Sequence, residues 1–267
     1  MPFFSPLSSL KLFYTLHGPE TGQPLLLVHG WCCNSHDWDF HITPLAQTYR
    51  VIAFDLRGHG QSSAPPDITY KLSDHAADIA ALLKHLGYEK DVRVVAHSMG
   101  AMITSLLGVK QPELFKALVS VDPYHFKLEM MTTKVIAAYK AAGNVTAVNL
   151  KMWPSMYGSD IPEWMKVAYL RRVEETQPHV IRGCLEGSVT HHIGMNMEGY
   201  LELRKKSRIP HLTIYAEDEG SRKEMELSSN SLDEVVVIGG VGHWLHNAKA
   251  EEFNAIVGDW LKKVEKS

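Results

Sequence analysis

The sequence predicts an α/β protein with a doubly wound, mostly parallel sheet and a helical cap inserted late in the chain. Continuous apolar runs of strand length recur along the sequence, which is typical of strands buried on both faces of a parallel sheet. Segments with helical periodicity separate these runs. Strands that alternate with helices favour a parallel sheet covered by helices on both sides.

Seven apolar runs are predicted as strands. The first alternates polar and apolar residues, whereas the second is continuously apolar and ends in Gly30. The later runs repeat the second pattern, so we expect them to form the buried centre of the sheet. In chain order the runs lie within residues 10–16, 24–30, 49–60, 92–100, 116–123, 211–217 and 234–240.

Two helices have clear amphipathic patterns. Ser73 is predicted to cap the first of them, and Gly87 is predicted to end it. The second is the final helix of the chain, whose apolar residues form one stripe. The apolar faces consist of Ile79, Leu82, Leu83 and Leu86 in the first helix, and of Phe253, Ile256, Val257, Trp260, Leu261 and Val264 in the second.

The segment 124–209 has helical composition and no good candidate for a strand. It is too long for a simple crossover, so it is predicted to be a helical cap on a core of residues 1–123 and 210–267. Its methionine and tryptophan side chains fill the interior of the cap or line a substrate pocket. They are Met130, Met131, Met152, Met156, Met165, Met195, Met197, Trp153 and Trp164.

Charge and hydropathy limit the partners of the protein. The chain of 267 residues has a formal net charge of −3, so no nucleic-acid partner is expected. The densest basic cluster, residues 203–210, is predicted to be a solvated helix end. No run of about 18 uninterrupted apolar residues is present, so no membrane span is predicted. The expected partner is a small-molecule substrate.

The cysteines and histidines indicate neither disulfides nor a metal site. Cys32, Cys33 and Cys184 are odd in number and have no CxxC spacing, which predicts reduced thiols. Together with the absence of a secretory signal pattern at the start, this predicts a cytoplasmic location. His191 and His192 have no carboxylate or cysteine at ligand spacing, so no metal and no cofactor are predicted.

The segment "AHSMG" (96–100) contains the best candidate nucleophile. It lies between a predicted buried strand and a predicted helix. A nucleophile on such a sharp turn needs small flanking residues, as in the pattern G-x-S-x-G. Ala96 takes the place of the first glycine, and Gly100 is the second. Ser98 is therefore the predicted nucleophile.

A base and two backbone donors complete the predicted machinery. A serine hydroxyl needs a base to take its proton, and His243 in "GGVGHWLH" (239–246) follows the last predicted strand. His246 is predicted to be structural. The backbone N–H groups of Trp31, in "HGW", and of Met99 are candidates for an oxyanion hole.

These motifs resemble those of the α/β-hydrolase fold superfamily, and the resemblance covers nearly the whole chain outside the cap. The matching segments are "LLLVHGW", "VIAFDLRGHGQSS", "VAHSMG", "ALVSVDP" and "GGVGHWLH". The resemblance implies a Ser-His-acid triad at the carboxyl edge of the sheet, beneath a helical lid. Ser98 differs from the aspartate that the superfamily's epoxide hydrolases and dehalogenases have at this position.

The resemblance leaves two positions open for the triad acid. One follows the strand "HLTIYA", where Glu219 or Asp218 would serve; the other follows the preceding strand, at Asp122. Burial favours Asp122, because it ends an apolar strand and Pro123 restricts its backbone. The adjacent carboxylates of 217–219 would repel one another if they were buried together. Asp122 is therefore the predicted acid, with Glu219 and Asp218 as alternatives.

Three functions agree with these motifs. The first is a serine hydrolase that cleaves a small apolar ester or lactone through an acyl-enzyme. The second follows from "GWC", "RGHG", "HS" (97–98), Asp122 and "GG..H", which look like features of the cofactor-free dioxygenases of this fold. In those enzymes a His/Asp pair deprotonates an N-heteroaromatic substrate. The third follows from "HSMGAMI" and "QPELFKALV", which are similar to receptor-hydrolases that bind a butenolide-like ligand and a protein partner.

Overall fold

The computed structural model describes residues 2–124, 134–141, 143–189, 197–227 and 230–267, and within them one sheet of eight strands. The strands lie in the order β1-β2-β4-β3-β5-β6-β7-β8. β1 and β2 are antiparallel to their neighbours, and the remaining strands are parallel. This confirms the predicted fold class. The strands are β1 (Phe3–Leu7), β2 (Leu10–His17), β3 (Gln23–Val28), β4 (Tyr49–Phe54), β5 (Val92–His97), β6 (Phe115–Val121), β7 (His211–Tyr215) and β8 (Glu234–Val237).

Helices cover both faces of this sheet and make up most of the described residues between β6 and β7. Three short 3₁₀ turns, Ser35–Trp38, Pro112–Leu114 and Trp153–Met156, supplement them. The described helices are α1 (Asp39–Leu45), α2 (Leu72–His85), α3 (Met99–Lys110), α4 (134–141), α5 (Val145–Met152), α6 (Glu163–Glu175), α7 (Pro178–Val189), α8 (Met197–Lys206), α9 (Asp218–Met225), α10 (Leu245–Ala248) and α11 (Ala250–Glu265).

The apolar runs of the central strands arise because both of their faces are buried. Successive side chains of a strand point to opposite sides of the sheet. In β3, Leu26 belongs to the apolar cluster that contains Leu82 of α2, whereas Leu27 belongs to the cluster that contains Trp260 of α11. Two apolar layers thus hold the sheet between two sets of helices, and the predicted stripe of the final helix lies in the second layer.

Two local predictions need correction. β1 was not predicted, because it is a half-exposed edge strand that contains Pro6 and has no continuous apolar run. The predicted cap of α2 is also wrong, since the helix already begins at Leu72. The Asp74 carboxylate accepts the backbone N–H of Lys71 at 3.0 Å, so Asp74 rather than Ser73 satisfies the helix start.

The basic cluster at the end of α8 is only partly solvated, so that prediction is wrong for Arg204. The Arg204 side chain is buried. Its Nε lies 2.6 Å from Oε1 of Glu224 in α9, and its Nη2 lies 3.3 Å from Oδ2 of Asp233. Glu224 also accepts the hydroxyl of Tyr215 at 2.6 Å. Lys206, by contrast, is exposed. A buried arginine is tolerated because carboxylates from two other segments pair with it.

Most of the described residues between β6 and β7 are helical. Met152, Trp153, Met156 and Met165 are buried there, whereas Trp164 is exposed. Five residues of the sequence analysis lie outside the described residues: Met130, Met131, His191, His192 and Met195. The boundaries between core and cap stay a prediction. Among the described helices, none combines the length and apolar character needed to cross a membrane.

Candidate active site

Ser98 occupies a sharp turn between β5 and α3. Its backbone has φ 53° and ψ −119°, a conformation that is strained for a residue with a side chain. The Ser98 N–H donates to Val121 O at 2.9 Å, and its carbonyl accepts the N–H of Ala101 at 2.9 Å. The turn is therefore held by the neighbouring strand β6 and by the first turn of α3, as a nucleophile elbow requires.

His243 contacts both predicted partners with its ring. Its Nε2 lies 2.9 Å from Ser98 Oγ, and its Nδ1 lies 2.5 Å from Asp122 Oδ2. Asp122 follows β6, where its own N–H donates to Ile214 O at 2.7 Å, and its Oδ1 accepts the N–H of Ala216 at 3.1 Å. Residues at the ends of β6 and β7 thus hold the Asp122 carboxylate in the position where it contacts the imidazole.

The alternative acids lie elsewhere. Asp218 and Glu219 are exposed in the first turn of α9. Asp218 Oδ2 lies 3.8 Å from Arg222 Nη2, and Glu219 Oε1 lies 3.5 Å from Lys223 Nζ. Such pairs one turn apart are typical of a solvated helix face. Of the three candidate carboxylates, the structure brings that of Asp122 to His243.

Burial determines the protonation of the candidate base. His243 is buried, and the loss of water lowers its pKa from 6.5 to about 3. The imidazole is therefore neutral near pH 7 and can accept a proton through Nε2. The Asp122 carboxylate acts in the opposite direction, because it stabilises the imidazolium that forms when the ring takes that proton.

The two candidate oxyanion donors lie beside the nucleophile. Met99 directly follows Ser98 and begins α3, where the helix dipole adds positive potential. Trp31 belongs to a turn that packs on the elbow: a Cβ on Gly30 would lie 3.2 Å from Ser98 Cβ. In the part of the chain that the structure describes, no acceptor receives the backbone N–H of Trp31 or Met99. Their catalytic role stays a prediction.

Several features of this site were not found from the sequence. Cys32, beside Trp31, has φ 52°, and Asp122 has φ 40°. With Ser98 they are three of the four residues other than glycine with positive φ in the described chain, and such strain clusters at functional sites. His97 was missed as well: its Nε2 donates to His243 O at 2.9 Å. Its position before the serine was the one available signal.

A second buried cluster lies next to the site. Cys33, Asp37 and His97 bring ligand-type atoms within 4.8 Å of one another, which among the described residues is the single group of this kind. The Arg172 guanidinium, however, pairs with Asp37. Burial also raises the pKa of the Cys33 thiol to about 11, so the thiol stays protonated near pH 7. An internal cation and a protonated thiol suit a polar cluster better than a metal site.

Comparison with known proteins places this site in a family context. A sequence model of the α/β-hydrolase fold family matches residues 23–165. Epoxide hydrolase 4 of Mus musculus is 39% identical over 120 residues, which are 44% of this chain and 33% of that protein. A bifunctional esterase/perhydrolase of Acinetobacter calcoaceticus is 25% identical over 274 residues, which cover 95% of this chain and 97% of that protein.

A solved structure extends the likeness to nearly the whole chain. Est816, an N-acyl homoserine lactone degrading enzyme, superposes with a TM-score of 0.79 at 21% identity. The match covers 97% of this chain and 99% of that chain. At this identity the likeness concerns the fold.

Proposed function

Because the chain belongs to the α/β-hydrolase fold family, we propose that it is a serine hydrolase that cleaves a small apolar ester or lactone. The observation that carries this proposal is the position of one imidazole between two partners, with Nε2 2.9 Å from Ser98 Oγ and Nδ1 2.5 Å from Asp122 Oδ2. This geometry suits a base that activates a serine nucleophile.

The proposed reaction begins when Ser98 Oγ attacks the ester carbonyl while His243 Nε2 takes the hydroxyl proton. Negative charge develops on the carbonyl oxygen, where the N–H groups of Trp31 and Met99 stabilise it. The tetrahedral intermediate expels the alkoxide, which receives the proton from His243. Water, deprotonated by the same imidazole, then attacks the acyl-enzyme and releases the carboxylic acid with Ser98 regenerated.

The surroundings of the site support an apolar substrate. Trp31 and Met99 belong to one continuous apolar cluster with Met152, Trp153 and Met156 of the predicted cap. Trp31 and Trp153 have ring centroids 5.6 Å apart. Side chains of this kind bind apolar acyl or alkyl groups and offer few fixed charges. The likeness to an esterase/perhydrolase over 95% of this chain supports an ester bond as the target, and a lactone is an internal ester that the same attack would open.

Ser98 separates this proposal from epoxide hydrolysis, which the mouse relative's name indicates for that protein. The superfamily's epoxide hydrolases have an aspartate at the nucleophile position, where this chain has Ser98. A serine hydroxyl instead suits attack on a carbonyl carbon, with the resulting oxyanion held by backbone donors. Ser98 therefore favours acyl transfer over epoxide opening as the reaction of this site.

The test uses the purified chain with aryl esters and simple lactones of increasing acyl length. We expect hydrolysis and a covalent fluorophosphonate adduct on Ser98, and we expect both to be lost in Ser98→Ala. Ser105→Ala, which alters another buried serine of the same strand–helix unit, is the matched control and keeps both. A wild-type chain that neither hydrolyses these substrates nor forms the adduct would disprove the proposal.

The same variants separate the two alternatives. Oxygen consumption with a hydroxyquinolone that persists in Ser98→Ala would replace the hydrolase with a cofactor-free dioxygenase, because that reaction uses the His243–Asp122 pair without a serine nucleophile. A ligand-dependent rise in Tm with negligible turnover would instead indicate a receptor. The 2.9 Å contact between Ser98 Oγ and His243 favours the hydrolase, because a nucleophilic serine needs this contact.

A further inference from the structure

We propose that the turn 156–160, between β6 and β7, positions the imidazole of His243, and that Gly158 is the residue that allows this. The inference rests on the proposed function, since it treats His243 as the general base. It assigns to the predicted cap a second role besides covering the substrate. Part of the cap holds the histidine loop, residues 239–244, in its conformation.

Backbone contacts join this turn to the histidine loop. The His243 N–H donates to Met156 O at 3.0 Å. Tyr157 and Gly242 form an antiparallel bridge, and the Asp160 N–H donates to Gly240 O at 3.1 Å. The turn therefore pairs with residues 240–243 much as a short strand would. These contacts hold the backbone of residues 240–243, which carries the imidazole of His243.

The pairing needs a residue without a side chain at position 158. A Cβ on Gly158 would lie 2.2 Å from Gly240 O, 2.5 Å from Val241 C and 2.6 Å from Gly242 N. All three atoms are backbone atoms of the histidine loop, so rotating a side chain cannot relieve the overlap. A side chain at 158 would have to push that loop away, and His243 would move with it.

A second contact comes from α6. The ring of Tyr169 stacks on Trp244, the neighbour of His243, with centroids 4.3 Å apart and planes at 23°. The Tyr169 hydroxyl also accepts a hydrogen bond from Asn247 Nδ2 at 2.8 Å. The segment between β6 and β7 thus contacts the histidine loop on both sides of His243.

The sheet supplies the remaining support. His97, at the end of β5, donates to His243 O at 2.9 Å. The main-chain N–H and C=O of His243 are therefore bound by different parts of the fold, Met156 and His97, while its ring is bound by Ser98 and Asp122. A displacement of about 1 Å in such an arrangement costs roughly 100-fold in rate. The turn then controls the rate through the position of the imidazole.

The first test compares two glycine substitutions. Gly158→Ala should lower kcat for an aryl ester by about 100-fold and change KM by less than about 2-fold, because the base is displaced and the binding surface is kept. Gly258→Ala in α11 is the matched control, since a Cβ there meets nothing within 4 Å. A folded Gly158→Ala protein with the kcat of Gly258→Ala would overturn the inference.

The second test remains decisive if Gly158→Ala does not fold. Tyr169→Phe keeps the ring and removes the hydroxyl that binds Asn247, so we expect kcat to fall about 5-fold. Tyr139→Phe is the matched control: it removes a buried hydroxyl bonded to Asn149 at 2.8 Å in the same segment. Both should lower Tm, and only Tyr169→Phe should lower kcat. Equal kcat values would contradict positioning.

A third readout does not depend on turnover. The proton between His243 Nδ1 and Asp122 Oδ2 should give a far-downfield ¹H NMR signal. We expect this signal in the wild type, Ser98→Ala and Gly258→Ala, and a shift or loss in Gly158→Ala. If the wild type does not hydrolyse esters and the signal still shifts, the proposed function fails and the positioning stands. If esters are hydrolysed and the signal stays, the positioning fails.

Discussion

His243 Nδ1 lies 2.5 Å from Asp122 Oδ2, so the carboxylate beside the imidazole comes from the end of β6 and not from the loop after β7. The two strands are parallel neighbours in the sheet, and their carboxyl ends lie at the same edge. Either strand end is therefore close enough to supply the acid. The Ala216 N–H donates to the Asp122 carboxylate, and the Asp122 N–H donates to Ile214 O, so both the side chain and the backbone of Asp122 are held by the end of β7.

Removal of the Asp122 charge should nearly abolish turnover. Asp122→Asn keeps the size of the side chain but presents an amide to His243, so the ring loses its preferred tautomer and the partner of its charged form. We expect kcat for an aryl ester to fall about 10⁴-fold. Glu219→Gln is the control and should keep wild-type kcat, because Glu219 is exposed beside Lys223. Loss of activity in Glu219→Gln instead would move the acid to the loop after β7.

The pH dependence of kcat/KM should reflect the buried imidazole. Burial lowers the pKa of His243 from 6.5 to about 3, and only the neutral ring can take the Ser98 proton. Activity is therefore expected to stay full as the pH falls below 6.5 and to be lost only as the pH approaches about 3, where the imidazole becomes protonated. The measurement is kcat/KM against pH, with tryptophan fluorescence to verify folding at each point. A midpoint at or above pH 6.5 would show that burial is not the main influence on the pKa of His243.

The stability of the fold should decrease on acidification. Burial lowers the pKa of six further histidines whose side chains are fully buried, so the folded chain holds them neutral while the unfolded chain protonates them below pH 6.5. Their contribution to the free energy of unfolding is complete above pH 6.5. It is lost as the pH falls from 6.5 toward the lowered pKa values that these histidines have in the folded chain. The six are His29, His41, His59, His75, His211 and His246.

The measurement for this prediction is the free energy of unfolding in urea between pH 7.5 and 5. Each neutral buried histidine adds about 1.4 kcal/mol per pH unit to the slope. His59→Gln should reduce the slope by roughly one proton. His36→Gln, at an exposed histidine, is the control and should leave the slope unchanged. A flat profile from pH 7.5 to 5 would contradict the prediction.

The ion pair between Arg172 of α6 and Asp37 should matter for stability. Asp37 is fully buried, so Arg172→Met would leave its charge without a partner. We expect the free energy of unfolding to fall by about 3–5 kcal/mol, with recovery of much of it in the double variant with Asp37→Asn. Lys262→Ala removes an exposed pair with Asp259 and should change stability by less than about 1 kcal/mol. Equal losses in the two single variants would contradict this reasoning.

Much of the fold follows from local patterns. The central strands were predicted because both of their faces are buried, which selects apolar residues at each position, and α11 was predicted because its one buried face selects an apolar stripe. β1 was missed because an edge strand needs no such pattern. Arg204 was misassigned because its partners, Glu224 and Asp233, are distant in sequence, and a charged residue looks solvated until they are placed.

Local sequence was enough to predict the fold class, the family and the candidate nucleophile and base, since Ser98 and His243 lie in short motifs at strand ends. The sequence left three carboxylates as candidates for the acid of the predicted triad. Folding resolved their placement: the positive φ of Asp122 and its bonds to β7 place it at the imidazole, while α9 begins at Asp218 and directs the other two toward solvent. The contact between Gly158 and the histidine loop had no signal in the sequence, because it joins segments whose distance depends on how the whole chain packs.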